Sequence, residues 1–190
     1  MSYDLVNAQS YIPSFEILFK TYNIKRVLEY GEGDGTQFLL DKTDFVCSVE
    51  VIANASHKGW AKECEKKYAE YKNKKWKQVL LNCSDDMKKA DRDRQKNLQP
   101  DPSIFEKELQ GYIDEGFKFS PFDMVFVDYG IHMRGDIVNL LFNKVDIIAA
   151  HDTNVSHSIY GWDKIRVPSN YKEYRYHNEY LGTTFWIKDK

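Results

Sequence analysis

The chain is poor in cysteine: Cys47, Cys64 and Cys83 are its only three among 190 residues. An odd number without a dense spacing pattern argues against a disulfide framework and for a reducing compartment. None falls into C-x-x-C spacing, which speaks against a zinc ribbon or a thioredoxin-type site. An excess of one charge is missing as well. Twenty-seven Lys and Arg stand against 29 Asp and Glu, a formal net charge of −2, so there is no global basic field for non-specific duplex binding. No apolar run approaches the ~20 residues of a membrane span. The opening Met1-Ser2-Tyr3-Asp4 has neither the basic nor the apolar region of a secretion signal. The expectation is a soluble, cytoplasmic protein with no membrane partner.

What the chain does have is core material. Hydrophobic residues make up 42% and aromatics 15%, which excludes wholesale disorder, and the length fits one domain over residues 1–190. Short runs rich in Val, Ile and Phe recur at Arg26–Tyr30, Asp44–Glu50, Gln78–Cys83, Phe122–Asp128 and Val145–Asp152. Continuous apolar runs of this length suit strands buried on both faces of a parallel sheet. Between them, Ser14–Tyr22, Lys58–Lys75 and Ile137–Lys144 place apolar residues at helical spacing. At the end, Tyr171–His177 and Thr183–Lys188 read as two strands around a turn at Asn178–Gly182. The alternation predicts a doubly wound, Rossmann-like α/β fold. Its seven-stranded sheet would be mostly parallel and close with a C-terminal antiparallel hairpin. Residues 85–121, charged and carrying Pro100, Pro102 and Pro121, read as an insertion or a lid.

The segment after the first strand reads Glu29-Tyr30-Gly31-Glu32-Gly33-Asp34-Gly35-Thr36. Glycines in a strand-to-helix turn let a ligand approach the backbone, and ligands of open α/β sheets sit at the carboxyl ends of the strands. The dinucleotide fingerprint G-x-G-x-x-G would need glycine at position 36, where Thr36 stands. Glu29, Glu32 and Asp34 together would repel a pyrophosphate but accept a cationic ligand. Glu50 ends the second strand, about 20 residues after Gly31, where an acid can accept ribose hydroxyls.

This acid-x-G-x-G-x-G segment resembles the first motif of the class I S-adenosylmethionine-dependent methyltransferases. The resemblance implies that Gly31, Gly33 and Gly35 wrap the methionine part of S-adenosylmethionine and that Glu29 helps hold its ammonium end. It also implies that Asp85 or the adjacent Asp86, just past the third strand, contacts the adenine amino group.

Asp128 and Asp152 end the fourth and fifth strands, on the edge that carries the glycine loop. Two converging carboxylates suit a hard cation such as Mg²⁺, with Thr153 or Asn154 adding an oxygen. This order resembles metal-dependent O-methyltransferases of the catechol, macrocin and cephalosporin-pathway types. The catechol enzymes have Asp-Asn where this chain has Asp152-Thr153-Asn154. The expected chemistry is methyl transfer to a hydroxyl of a small molecule. Asp128 and His132 would be the catalytic side chains, His132 as general base. His151 is expected to face the core or cap its strand, Arg134 and Asp136 to be a helix-start pair, and Tyr160, Trp162 and Trp186 to line a substrate pocket or belong to the core.

Other readings are a nucleic-acid or protein methyltransferase, a non-catalytic binding protein on the same fold, and a dehydrogenase. Against the first, the Asn-Pro-Pro-Tyr motif of nitrogen-methylating enzymes is absent after the fourth strand, where Asp128-Tyr129-Gly130-Ile131 stands. The Lys-rich run 62–77 is interleaved with Glu63, Glu65 and Glu70, as in a solvated helix face.

Overall fold

A computed structural model describes residues 11–154, 157–176 and 181–189. Seven strands form one sheet: β1 (Arg26–Tyr30), β2 (Phe45–Ile52), β3 (Trp76–Asn82), β4 (Met124–Val127), β5 (Ile147–His151), β6 (Tyr171–Tyr176) and β7 (Thr183–Lys188). Their order across the sheet is β3-β2-β1-β4-β5-β7-β6. The pairs from β3 through β5 are parallel, and β7 runs antiparallel to both β5 and β6. The expected doubly wound sheet with its terminal hairpin is therefore present. The hairpin turn expected at Asn178–Gly182 falls largely outside the described residues.

Both faces of the sheet are covered, which is why the strands read as unbroken apolar runs. Val27, Val46, Met124 and Phe126 pack on one face with Phe15 and Leu18 of helix α1 (Ile12–Thr21) and Leu39 and Leu40 of α2 (Gly35–Lys42). Leu28, Tyr30, Val49, Val125 and Val127 face the other way. Helix α3 (Ala55–Lys67) starts at Asn54, whose Oδ1 accepts the His57 N–H at 3.0 Å. It ends earlier than the charged stripe 58–75 predicts. A 3₁₀ turn at Ala69–Tyr71 and a left-handed Asn73 (φ 61°) turn the chain into β3.

Segment 85–121, expected as an insertion or a lid, carries the crossover from β3 to β4, built from α4 (Asp85–Gln95), capped by Ser84, and α5 (Pro102–Phe117), capped by Asp101. Phe105, Leu109, Tyr112 and Ile113 of α5 are buried against the sheet, and this burial holds the segment in place. Most of its charge lies on the outer faces of the two helices, with Asp91 and Arg94 buried. Helix α6 (Arg134–Leu141) follows β4, and the short α7 (His157–Tyr160) follows β5. Among the described residues no helix is long and apolar enough to cross a membrane.

The winding direction reverses between β1 and β4. The crevice above their carboxyl ends is the switch point where open α/β sheets bind ligands.

Candidate active site

The glycine loop crosses this switch point. Gly31 donates its N–H to Val49 O at 3.0 Å, while Asp128 N–H reaches Tyr30 O at 2.8 Å, drawing the β1 and β4 ends together. Gly31 has φ +93°, and a Cβ on it would stand 2.4 Å from both Asp128 O and Tyr129 Cα. Only glycine fits there. At Gly35 a Cβ would meet the Tyr11 hydroxyl at 1.4 Å. Gly33 differs from both. Its nearest neighbour would be Trp60 Cζ2 at 3.7 Å, so the protein's own packing does not require glycine there, and the space above it is open to a ligand.

The loop is held by side chains from beneath. Trp60 Nε1 donates to Glu32 O at 2.7 Å, and Tyr68 Oη to Gly33 O at 2.6 Å. The carboxylate of Glu29 accepts from Thr36 Oγ1 at 2.9 Å and from Ser48 Oγ at 2.7 Å. Glu50 Oε2 accepts the Glu32 N–H at 3.2 Å.

Two adjoining cavities open over the loop. One, of about 400 Å³, is bounded by Tyr11, Glu29, the loop residues 31–35, Trp60, Asp128, His151, Asp152 and Leu181. The other, of about 310 Å³, shares Gly31, Glu32, Trp60 and Asp128 with it and adds Glu50, Ser56, His57, Gly130 and Arg134. Glu29, Glu32 and Glu50 are all buried. Burial pushes their carboxyls up to about 8, 9 and 7 respectively, against the opposing pull of their hydrogen bonds. Glu32 Oε2 has no hydrogen-bond partner among the described residues. A cationic guest would draw these carboxyls toward their ionised form, which desolvation alone disfavours.

At the β4 and β5 ends, Asp128, His151 and Asp152 each offer one ligand-type atom, all within 4.8 Å of one another. His151 Nδ1 lies 3.6 Å from Asp128 Oδ1 and 3.3 Å from Asp152 Oδ1. Burial pulls the imidazole down, but the bond and charge of Asp128, with Asp152, outweigh it and hold His151 above its ordinary pKa. Arg134 Nη1 reaches Asp128 Oδ1 at 2.9 Å and Asp152 Oδ2 at 2.7 Å.

No protein-family model matches the chain, and neither does any curated protein. Solved structures do. A Staphylococcus aureus protein assigned as a caffeoyl-CoA O-methyltransferase superposes with TM-score 0.59 at 13% identity, over 93% of this chain and 82% of the other. An S-adenosylhomocysteine-bound methyltransferase of Podospora anserina gives 0.52 at 14% identity, over 100% and 80%. The Escherichia coli protein YhhF, assigned as a methyltransferase, gives 0.53 at 14%, over 100% and 88%. This chain has the class I methyltransferase fold.

The glycine loop, Glu29 and Glu50 line the two cavities at the switch point. Asp85 does not. Its side chain is 99% exposed and pairs with Lys88 at 3.1 Å. It opens α4 and lines neither cavity, because the chain turns outward at the Ser84 cap. His132 is likewise outside both cavities. Its backbone N–H and its Nδ1 both meet Asp91 Oδ1, at 2.7 and 3.1 Å, and its ring stacks on Tyr160 at 5.3 Å. Thr153 is turned to a separate cavity beside Trp162 and Trp186, where its hydroxyl accepts from Thr184 Oγ1 at 3.0 Å.

Arg134 and His151 therefore replace two residues expected at the edge. No local spacing marks either one. The adjoining His151-Asp152 pair was the available signal for the histidine.

The same geometry tests the divalent ion that the family resemblance implies. A hard cation needs the charge of both carboxylates, and the Arg134 guanidinium already bridges them. That guanidinium is buried, bonded through Nε to Tyr129 O at 2.9 Å, and covered by the Tyr160 ring at 4.4 Å. In this arrangement the donor set does not fit a resident Mg²⁺.

Proposed function

We propose that the protein is an S-adenosylmethionine-dependent methyltransferase acting on a hydroxyl of a small molecule. The observation that carries the cofactor assignment is the open space over Gly33 within a pocket walled by Glu29, Glu32 and Glu50. Bound there, S-adenosylmethionine supplies an electrophilic methyl group on a positively charged sulfur.

The chain's own groups do the rest. Gly31 and Gly33 leave the backbone free for close approach. Glu29 and Glu32 favour the cationic end, and Glu50 is the acid for the ribose hydroxyls. Asp128 and His151, which border the same cavity, are the groups to orient an acceptor hydroxyl and receive its proton once His151 is neutral. The caffeoyl-CoA O-methyltransferase assignment of one structural neighbour supports an oxygen acceptor. Magnesium is left out of this reading because Arg134 already spans the two aspartates.

Isothermal titration with S-adenosylhomocysteine tests the cofactor assignment. Micromolar binding that is lost in Gly33→Arg supports it, and the absence of binding to the folded wild type overturns it. Methyl transfer from labelled cofactor to a panel of hydroxylated small molecules tests the acceptor class. Saturable cofactor binding without turnover on any of them favours a non-catalytic binding protein.

A further inference from the structure

We propose that Arg134 is the resident cation of the aspartate pair at the sheet edge, a positioning residue that makes the site independent of divalent metal. The proposal rests on the methyltransferase reading for its purpose, though not for its geometry.

Arg134 is the first residue of α6. A cation at a helix N-terminus opposes the helix dipole, and burying a guanidinium there is costly unless its charge and donors are met. Every neighbour meets that need. Asp128 from the end of β4 and Asp152 from the end of β5 accept from one and the same Nη1. The His151 carbonyl lies 3.4 Å from that nitrogen, Tyr129 O accepts from Nε, and Tyr160 covers the plane.

The backbone is shaped to allow it. Asp152 adopts φ +62°, a left-handed conformation that a non-glycine residue rarely takes and that surrounding contacts must hold. Trp162 Nε1 secures its carbonyl at 3.1 Å. Next to Arg134, Gly135 lies so close to Gly161 that a Cβ would meet Gly161 O at 2.3 Å. The start of α6 and the segment after β5 are thereby clamped together around the guanidinium. A single nitrogen, Nη1, bridges the two carboxylates, which is the office a metal ion would otherwise fill. Asp128 and Asp152 then face the cavity already oriented.

The test is a Mn²⁺ titration followed by electron paramagnetic resonance, beside S-adenosylhomocysteine titration with and without EDTA. The wild type is expected to leave Mn²⁺ free up to millimolar concentration and to bind S-adenosylhomocysteine equally with EDTA or Mg²⁺. Arg134→Met, which keeps the stem and removes the charge, is expected to gain at least tenfold in Mn²⁺ affinity, and Asp152→Asn in that background to abolish the gain. Micromolar Mn²⁺ binding by the wild type, lost in Asp128→Asn, overturns the proposal. So does a folded Arg134→Met variant that binds Mn²⁺ no better than wild type. Should Arg134→Met fail to fold, the wild-type titration and Arg134→Lys, expected to stay metal-free, decide. Failure of S-adenosylhomocysteine binding alone strikes the cofactor assignment and leaves the Mn²⁺ result to judge Arg134 separately.

Discussion

The Tyr11 hydroxyl occupies the space that a side chain on Gly35 would need, 1.4 Å from where its Cβ would stand. The Tyr11 ring is fixed from three sides, by Phe15 at 5.0 Å, Phe126 at 4.9 Å and His151 at 5.0 Å, so it cannot yield cheaply. Gly35→Ala is therefore expected to destabilise by about 1–3 kcal/mol through overpacking. Gly33→Ala, with open space around it, should stay within about 0.5 kcal/mol of wild type while weakening S-adenosylhomocysteine binding. Thermal melts beside titration calorimetry separate the two effects. Equal loss of stability in both variants would contradict the assignment of Gly33 to the ligand.

The three buried carboxyls give the free protein a defined pH response. Their folded pKa values lie above the unfolded ones, at about 7 for Glu50, 8 for Glu29 and 9 for Glu32. The folded state thus holds more protons than the unfolded state, and stability falls as pH rises from the unfolded carboxyl pKa near 4.5 toward 9. Glu32→Gln should flatten the upper part of this slope and raise the melting temperature of the free protein at pH 8–9, by roughly 2–4 °C for each kcal/mol recovered. Over the same window the affinity for S-adenosylmethionine relative to its neutral product should increase, since ionised carboxylates favour the sulfonium. A melting temperature independent of pH between 5 and 9 would count against these shifts.

His151 responds with the same sign, because it too holds its proton more tightly in the folded state. Its pKa is raised in the folded protein, so it contributes stability below the ordinary histidine value of about 6.5, and that contribution is lost as pH rises through the folded value. Its imidazole resonance should titrate above 6.5. Asp128→Asn should lower the midpoint, because it removes the hydrogen bond and the larger of the two favourable charges. An unchanged midpoint in that variant would place the cause elsewhere.

Arg94 offers a test away from the cavity. Its guanidinium is fully buried, with Nη2 bonded to Asp136 Oδ2 at 3.0 Å and with Nε and Nη1 lacking partners among the described residues. Asp136→Asn leaves that charge uncompensated and is expected to cost about 3–5 kcal/mol. Adding Arg94→Met should restore most of the loss, since a buried pair replaced by uncharged side chains is often neutral. Denaturant unfolding of the single and double variants measures the difference. An additive double variant would show that the pair does not act as a unit.

Much of this was legible in one dimension. The runs that became β1 to β5, the terminal strands β6 and β7 and the glycine loop follow from local pattern, because strands covered on both faces carry continuous apolar sequence and the approach of Asp128 to Gly31 leaves no room for a side chain. The 85–121 segment was harder. Its charges mask the apolar stripe of Phe105, Leu109, Tyr112 and Ile113, and the face that a helix buries is decided by what it meets.

The sequence by itself determined the sheet, its winding and the acidic glycine loop, since these rest on periodicity and on backbone freedom within a few residues. Only the tertiary structure decided the edge at the ends of β4 and β5. Residues just past a strand end lose the strict alternation that predicts side-chain direction. There the left-handed turn at Asp152 accompanies an Asp152 carboxylate paired with Arg134 and a Thr153 facing the cavity beside Trp162 and Trp186. Asp85 and His132, both near strand ends in sequence, were drawn to a helix start and to Asp91. Arg134, read as part of a helix start, became the centre of the cluster because two strand ends and a helix terminus converge on it in space.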